Sequence, residues 1–283
     1  MFDLSSFLEN IPRPAVMGIV NASGESFSER GRSSADSALA RALAHLDCGA
    51  DILDIGGEST RPGAKETAKE LELNRVLPVL RNLRKVHPET VLSVDTRHGS
   101  VAQAALQNGV QIINDVSMLR KSPEIADLVA QYGAALILSH SRGTPENMQA
   151  PEYCSYPDGV AETVAVELAA AKEKALKAGV RQENIMLDPG FGFAKNADQC
   201  WELLENLEKI SPLSNLMIGV SRKSFLGALT GENDPVGRSG ETLAVELLMA
   251  AKGVGVIRTH GVRELHNALL VLSKLQSGEG GKK

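Results

Sequence analysis

Eight short apolar runs in this sequence end on residues able to bind ligands or carry charge. In chain order the ends are Asn21, Glu58-Ser59-Thr60-Arg61, Asp95, Asn114-Asp115, His140, Asp188, Ser221-Arg222-Lys223 and Arg258-Thr259-His260. Any one has an ordinary explanation, because Asp and Asn cap helices and turns. Together they point to chemistry, and they divide into two groups. Ser221-Arg222-Lys223 and Arg258-Thr259-His260 gather cationic groups, and Arg61 adds a third source after Gly56-Gly57, where backbone N–H groups can approach an anion. That set suits a diphosphate or a carboxylate. Asp95, Asn114 and Asp188 follow apolar residues directly and should lie deeper. A carboxylate accepts two parallel N–H bonds while an amide both donates and accepts, a pattern that reads the 2-amino-4-oxo edge of a pterin or guanine-like ring. The alternative is internal pairing, with Asp95 and Asp188 neutralised by Lys223 or Arg258 as structural ion pairs.

The segments that must hold these ends are AVMGIVN, DILDIGG, VLSVDT, QIINDV, ALILSH, IMLDPG, LMIGVS and VGVIRTH. Runs this short and this apolar suit strands of a parallel sheet buried on both faces. The intervening segments have helical periodicity. Ala35, Ala38, Leu39, Ala42, Leu43 and Leu46 fall on one stripe, with Ser33 or Ser34 available as N-cap. Leu73, Val76, Leu77, Leu80 and Leu83 form a second stripe, and Leu265, Ala268, Leu269 and Leu272 a third. Eight strand–helix alternations over about 260 residues predict an α/β protein, a (β/α)8 TIM barrel of one domain, whose active site would lie at the strands' C-terminal ends. A doubly wound open sheet is the runner-up. The barrel is expected over residues 1–276, with a glycine-rich flexible tail at 277–283.

Composition excludes several functions. The 30 Lys and Arg against 35 Asp and Glu leave a net charge of −5, a poor balance for general nucleic-acid binding. Cys48, Cys154 and Cys200 are odd in number and far apart, which argues for free thiols rather than zinc or disulfides. Asp3 and Glu9 interrupt the N-terminal segment where a signal peptide needs a basic flank and an apolar core, and no apolar run is long enough to span a membrane. A cytoplasmic location is expected. There is no G-x-S-x-G elbow, no phosphate-binding P-loop and no G-x-G-x-x-G after the first strand. Lys223 at a strand end could form a Schiff base, but beside Arg222 it suits a charged, hydrogen-bonding role equally well.

The motifs Met17-Gly18-Ile19-Val20-Asn21, Asp54-Ile55-Gly56-Gly57-Glu58-Ser59-Thr60-Arg61-Pro62-Gly63, Ser93-Val94-Asp95-Thr96, Ile112-Ile113-Asn114-Asp115, Leu187-Asp188-Pro189-Gly190-Phe191-Gly192-Phe193, Ser221-Arg222-Lys223-Ser224 and Arg258-Thr259-His260 stand in one order along the chain. In this the chain resembles the dihydropteroate synthase family, the folate-pathway enzymes that sulfonamides inhibit. The resemblance implies a barrel transferase that joins (7,8-dihydropterin-6-yl)methyl diphosphate to 4-aminobenzoate, with Mg2+ as cofactor and a homodimer as the assembly. Carried over by position, Asp95, Asn114, Asp188 and Lys223 hold the pterin, and Arg258 stacks on it and reaches the diphosphate. Asp95, Lys223 and Arg258 are the implied catalytic residues. Asn21 with Mg2+, Arg61 and His260 take the diphosphate. Phe27, Thr60, Arg61, Pro62, Ser221 and Arg222 belong to the 4-aminobenzoate side.

Two positions depart from the family pattern. Gly24 stands where proline is usual after the first strand, and Ser139 where methionine commonly precedes His140. Glycine enlarges the ensemble of open loop conformations, so the loop should cost more to order over a substrate. The competing readings are a methyltetrahydrofolate-binding methyltransferase of the same broad fold and a non-catalytic pterin-binding paralogue.

Overall fold

The structure of the chain is a computed structural model and describes residues 1–23 and 34–279. Its eight strands are β1 (Ala15–Asn21), β2 (Ile52–Gly56), β3 (Val91–Asp95), β4 (Ile112–Asp115), β5 (Ala135–Ser139), β6 (Ile185–Asp188), β7 (Asn215–Ile218) and β8 (Val256–Thr259). They close as a parallel barrel in sequence order, β8 pairing back to β1 through Ala15 opposite Val256 and Gly18 opposite Thr259. Seven lie within the apolar runs of the sequence, and β7 begins one residue before its run, at Asn215.

The helices are α1 (Leu4–Glu9), α2 (Ser34–Asp47), α3 (Lys69–Val86), α4 (Gly99–Gln107), α5 (Ile125–Tyr132), α6 (Val160–Lys177), α7 (Ala197–Glu205), α8 (Ser224–Thr230), α9 (Ser239–Ala251) and α10 (Val262–Glu279). The predicted stripes face inward. Ala38, Ala42, Val76, Leu80, Leu83, Leu265 and Leu269 are buried in the layer between sheet and helices, each large side chain stabilising the fold by about 1.5–3 kcal/mol. Two helices rather than one separate β7 from β8. Helix α10 runs through Glu279, past the expected boundary at 276; one glycine, Gly278, costs a helix about 1 kcal/mol and does not by itself end it. Residues 280–283, and the Ser33 cap expected for α2, lie outside the described residues.

Along each strand, alternate residues point into the barrel, and the interior changes character with height. Its lower part is apolar: Ala15, Met17, Ile52, Ile112, Met186, Met217 and Val256 pack together. Helix α1 plugs this end with Leu4, its N-terminus capped where the Asp3 carboxylate accepts from Ser6 N–H at 2.9 Å. Two residues further along the strands stand Asp54, Asn114, Asp188 and Arg258. The upper layer is polar.

Candidate active site

The polar layer is built on Arg258. Its Nε donates to Asp54 Oδ2 at 2.6 Å and its Nη2 to Asp95 Oδ2 at 2.9 Å. Asn114 Nδ2 donates to the same Asp54 oxygen at 3.2 Å, and Ser139 Oγ donates to Asn114 Oδ1 at 3.3 Å. Five side chains from β2, β3, β4, β5 and β8 therefore orient one another. Burial works against the Arg258 charge, but Asp54 and Asp95 outweigh it and raise its pKa. Burial pushes the Asp95 carboxyl up to about 7, with Arg258 pulling the other way. The internal pairing weighed from sequence thus exists for Asp95, but it consumes only one of its oxygens. Asp95 Oδ1, Asp54 Oδ1 and Ser93 Oγ are buried without a partner, and unpaired buried polar atoms cost about 1–3 kcal/mol each. Such cost is tolerated where a ligand supplies the missing partner.

Asp188 and Lys223 flank this layer. Asp188 Oδ1 accepts from Gly190 N–H at 2.9 Å. The Lys223 ammonium donates to Phe191 O and lies 4.2 Å from the centre of the Phe193 ring. Burial brings its pKa down to about 8, with Asp188 opposing. An ammonium already hydrogen-bonded and placed over an aromatic face holds a ligand by charge and donation.

Ser221 and His260 meet at the ends of β7 and β8, with Ser221 Oγ 3.0 Å from His260 Nδ1 and His260 N–H donating to the same oxygen at 3.1 Å. Burial lowers the His260 pKa to about 3, helped by Arg222, Arg258 and Arg61, so at neutral pH the ring is uncharged. Arg222, Arg258 and Arg61, three of the cationic groups predicted from sequence, thus all act on the His260 ring. Arg222 takes a left-handed backbone (φ 62°), strained for a non-glycine residue. The conformation is fixed by Thr242 Oγ1 accepting from its N–H at 3.1 Å and Arg238 donating to its carbonyl at 2.9 Å.

Thr60, Arg61 and Pro62 stand on the loop after β2, with Arg61 and Pro62 exposed. Thr60 lines a small cavity with Arg97, Ser117, Ser141, Met148 and Phe193. Asn21 ends β1 opposite Gly56. Among the described residues no group of three His, Cys, Asp or Glu could enclose a metal. Mg2+ needs no such cage, since it binds hard oxygens and often leans on a substrate's phosphates; the Asn21 amide oxygen at the end of β1 fits that use. Phe27 and Gly24 lie outside the described residues.

Three residues of this face were not singled out from sequence. Asp54 shares Arg258 and Asn114, and its signal was a carboxylate inside an otherwise apolar strand. Arg97 grips Glu58 with both nitrogens at 2.8–3.0 Å, and Glu58 also accepts from Thr67 N–H at 2.9 Å, which fixes both ends of the loop carrying Thr60. Lys195 is 3% exposed and bonds His140 Nδ1 at 2.8 Å. Asp115 is the plain turn cap, accepting from Ser117 and Leu119 N–H at 2.8 and 2.6 Å.

Comparison with known proteins agrees with this geometry. Residues 17–260 match the family described as pterin binding enzyme. The dihydropteroate synthase of Mycobacterium leprae is 40% identical over 266 residues, 91% of this chain and 92% of that protein. A folic acid synthesis protein of Schizosaccharomyces pombe is 38% identical over 88% of this chain, which corresponds to 34% of that longer protein. Among solved structures, the dihydropteroate synthase of Xanthomonas albilineans with 4-aminobenzoic acid superposes with a TM-score of 0.86 at 37% identity, covering 94% of each chain. The same enzyme in complex with 7,8-dihydropteroate gives 0.84 at 35% identity, again with 94% coverage of each.

Proposed function

The chain belongs to the pterin-binding enzyme family, and we infer that it is a dihydropteroate synthase, a transferase of folate biosynthesis that condenses (7,8-dihydropterin-6-yl)methyl diphosphate with 4-aminobenzoate. The observation that carries this reading is the half-satisfied polar layer. Asp95 has one oxygen committed to Arg258 and one spare, in register with Asn114 on the next strand, and Asp188 ends β6 of the same barrel. This set accepts and donates along one edge, as a pterin's pyrimidine ring requires.

In the proposed site Asp95, Asn114 and Asp188 receive the pterin edge, Lys223 donates to it, and Arg258 covers its face and reaches toward the diphosphate. Arg61, Arg258 and neutral His260 bind the diphosphate. The C–O bond at the pterin methylene breaks with the electron pair leaving on diphosphate, and the pterin ring delocalises the cation. The 4-aminobenzoate amine then attacks that carbon and gives up a proton. No protein nucleophile is needed, so rate comes from orientation and from charge aimed at the leaving group. Asn21 would hold Mg2+, whose contribution is to screen the diphosphate charge as it grows. Thr60, Arg61, Pro62, Ser221 and Arg222, with Phe27, would frame the 4-aminobenzoate side.

The test is turnover. The chain incubated with both substrates and Mg2+ should release diphosphate and 7,8-dihydropteroate in equal amounts; pterin binding without product would favour a non-catalytic paralogue. Activity lost on chelation and restored by Mg2+, and weakened restoration in Asn21→Ala, would support the metal assignment.

A homodimer is the assembly proposed. Exposed large apolar side chains concentrate on α8 to α10 and the segment between them: Leu229, Val236, Leu248, Leu270, Val271 and Leu275. Exposed apolar side chains gathered on consecutive elements suit a self-complementary interface. Light scattering should give twice 30.1 kDa. No described helix is long and apolar enough to cross a membrane, and a cytoplasmic location is proposed with the soluble substrates.

A further inference from the structure

The turn after β6, residues 190–194, is held in an unusual way. Five consecutive carbonyls each accept from a side chain: Gly190 O and Phe193 O from Lys195 Nζ at 3.1 Å, Phe191 O from Lys223, Gly192 O from Gln149 Nε2 at 2.8 Å, and Ala194 O from the Tyr156 hydroxyl at 2.9 Å. Regular ladders cannot do this work. Gly190, Gly192 and Ala194 all have left-handed backbones (φ +67°, +74° and 51°), and a Cβ on Gly190 would stand 1.9 Å from His140 O. Two of the five acceptors fall to one ammonium. Lys195 spends its three N–H groups on Gly190 O, Phe193 O and His140 Nδ1, which satisfies it completely in the interior. His140, accepting at Nδ1, carries its proton on Nε2 and donates to Glu167 at 3.0 Å; Arg142 grips the same carboxylate and lies 4.3 Å from the centre of the Tyr156 ring.

This turn supplies both of the contacts that orient Lys223, the Phe191 carbonyl and the Phe193 ring. We propose that Lys195 is a positioning residue for pterin binding: by bonding Gly190 O and Phe193 O together it shapes the turn that aims Lys223 into the site. Lys195 itself does not reach the ligand. The inference rests on the pterin reading of the site above and assigns that site a support outside its lining.

The test is a double-mutant cycle read by calorimetric binding of (7,8-dihydropterin-6-yl)methyl diphosphate without 4-aminobenzoate, with folding of each variant checked by circular dichroism. Lys195→Met should weaken pterin binding roughly tenfold to a hundredfold, the scale of a misplaced binding group, while the KM for 4-aminobenzoate changes less than about twofold. Adding Lys195→Met to Lys223→Met should cost almost nothing more, because the effect passes through Lys223. Additive losses, or a folded Lys195→Met with native pterin affinity, would overturn the proposal. If Lys195→Met does not fold, Lys195→Gln, too short to bond both Gly190 O and Phe193 O, carries the test: weaker pterin binding with 4-aminobenzoate unaffected supports it, and unchanged pterin binding overturns it. A native chain that binds no pterin diphosphate would instead sink the underlying reading.

Discussion

At the floor of the site Asp54, Asp95, Asn114 and Arg258 stand on four different strands and bond one another. At the rim Thr60, Arg61 and Pro62 stand on one loop, with Arg61 and Pro62 in solvent. That loop is tied down by Glu58 to Arg97, by Gly63 N–H donating to Pro145 O at 2.8 Å, and by exposed Glu66 meeting Lys121 at 2.6 Å. The floor is rigid because strand geometry is fixed by the barrel, and its spare hydrogen-bonding capacity waits for a ligand of one shape. The rim depends on side-chain ties that water competes for. Recognition of the pterin should therefore be costly to perturb and insensitive to salt, and recognition of the second substrate should be graded and salt-sensitive.

The strongest way to break that contrast is Asp95→Asn. It removes the acceptor with a spare oxygen and leaves Arg258 paired only to Asp54. Pterin diphosphate affinity should fall about a hundredfold or more, since a buried site with unpaired polar groups rejects its ligand. Calorimetry checks it; a loss below tenfold would mean that the floor does not bind the pterin edge. Asp54→Asn comes next. Arg258 and Asn114 lose their shared anchor, so unfolding free energy should drop by about 2 kcal/mol and pterin affinity by about tenfold, through orientation alone.

The floor should also show itself in pH. Asp95 is ionised above about 7 and Lys223 charged below about 8, so pterin binding that needs both should be bell-shaped with flanks near those values. Affinity should fall about tenfold per unit below the acid flank. Asp95→Asn should abolish that limb, and Lys223→Met the basic one. Stability of the ligand-free chain runs the other way. A carboxyl whose folded pKa is raised binds its proton more tightly when folded, so stability is lost as pH rises from about 4 through about 7, a slope Asp95→Asn should flatten. A pH-independent Kd between about 6 and 9 would remove Asp95 and Lys223 from the binding set.

The barrel was legible because its signal is repetitive: eight apolar runs and the stripes between them each vote for the same fold. The polar strand ends were legible for the same reason. Asp54 was not, because a single carboxylate within a buried strand carries no period and its partner Arg258 lies 204 residues away. Lys195 was missed more completely, since its meaning depends on carbonyls that the sequence does not display. Position also hid the difference between Asp115, which merely caps its turn, and Asp95, which keeps an oxygen free. Helix α1 and the split into α8 and α9 were missed because short helices hold too few turns to show periodicity.

The smallest effect should come from Glu66→Ala at the rim. The Glu66 carboxylate is half exposed and accepts from Lys121 at 2.6 Å and lies 3.4 Å from His98 Nε2; the Lys121 bond holds its pKa below the usual range. Exposed pairs of this kind stabilise by about 0–1 kcal/mol, so the melting temperature should move by no more than about 2–4 °C. The loop carrying Thr60 and Arg61 would close less readily, raising the KM for 4-aminobenzoate by about twofold at low salt, and the difference should shrink as salt screens the native pair. Pterin affinity should stay where it was. If Glu66→Ala weakened both substrates equally, loop and strands would be acting as one unit, and the separation of floor from rim would fail at the point where the rim is most exposed.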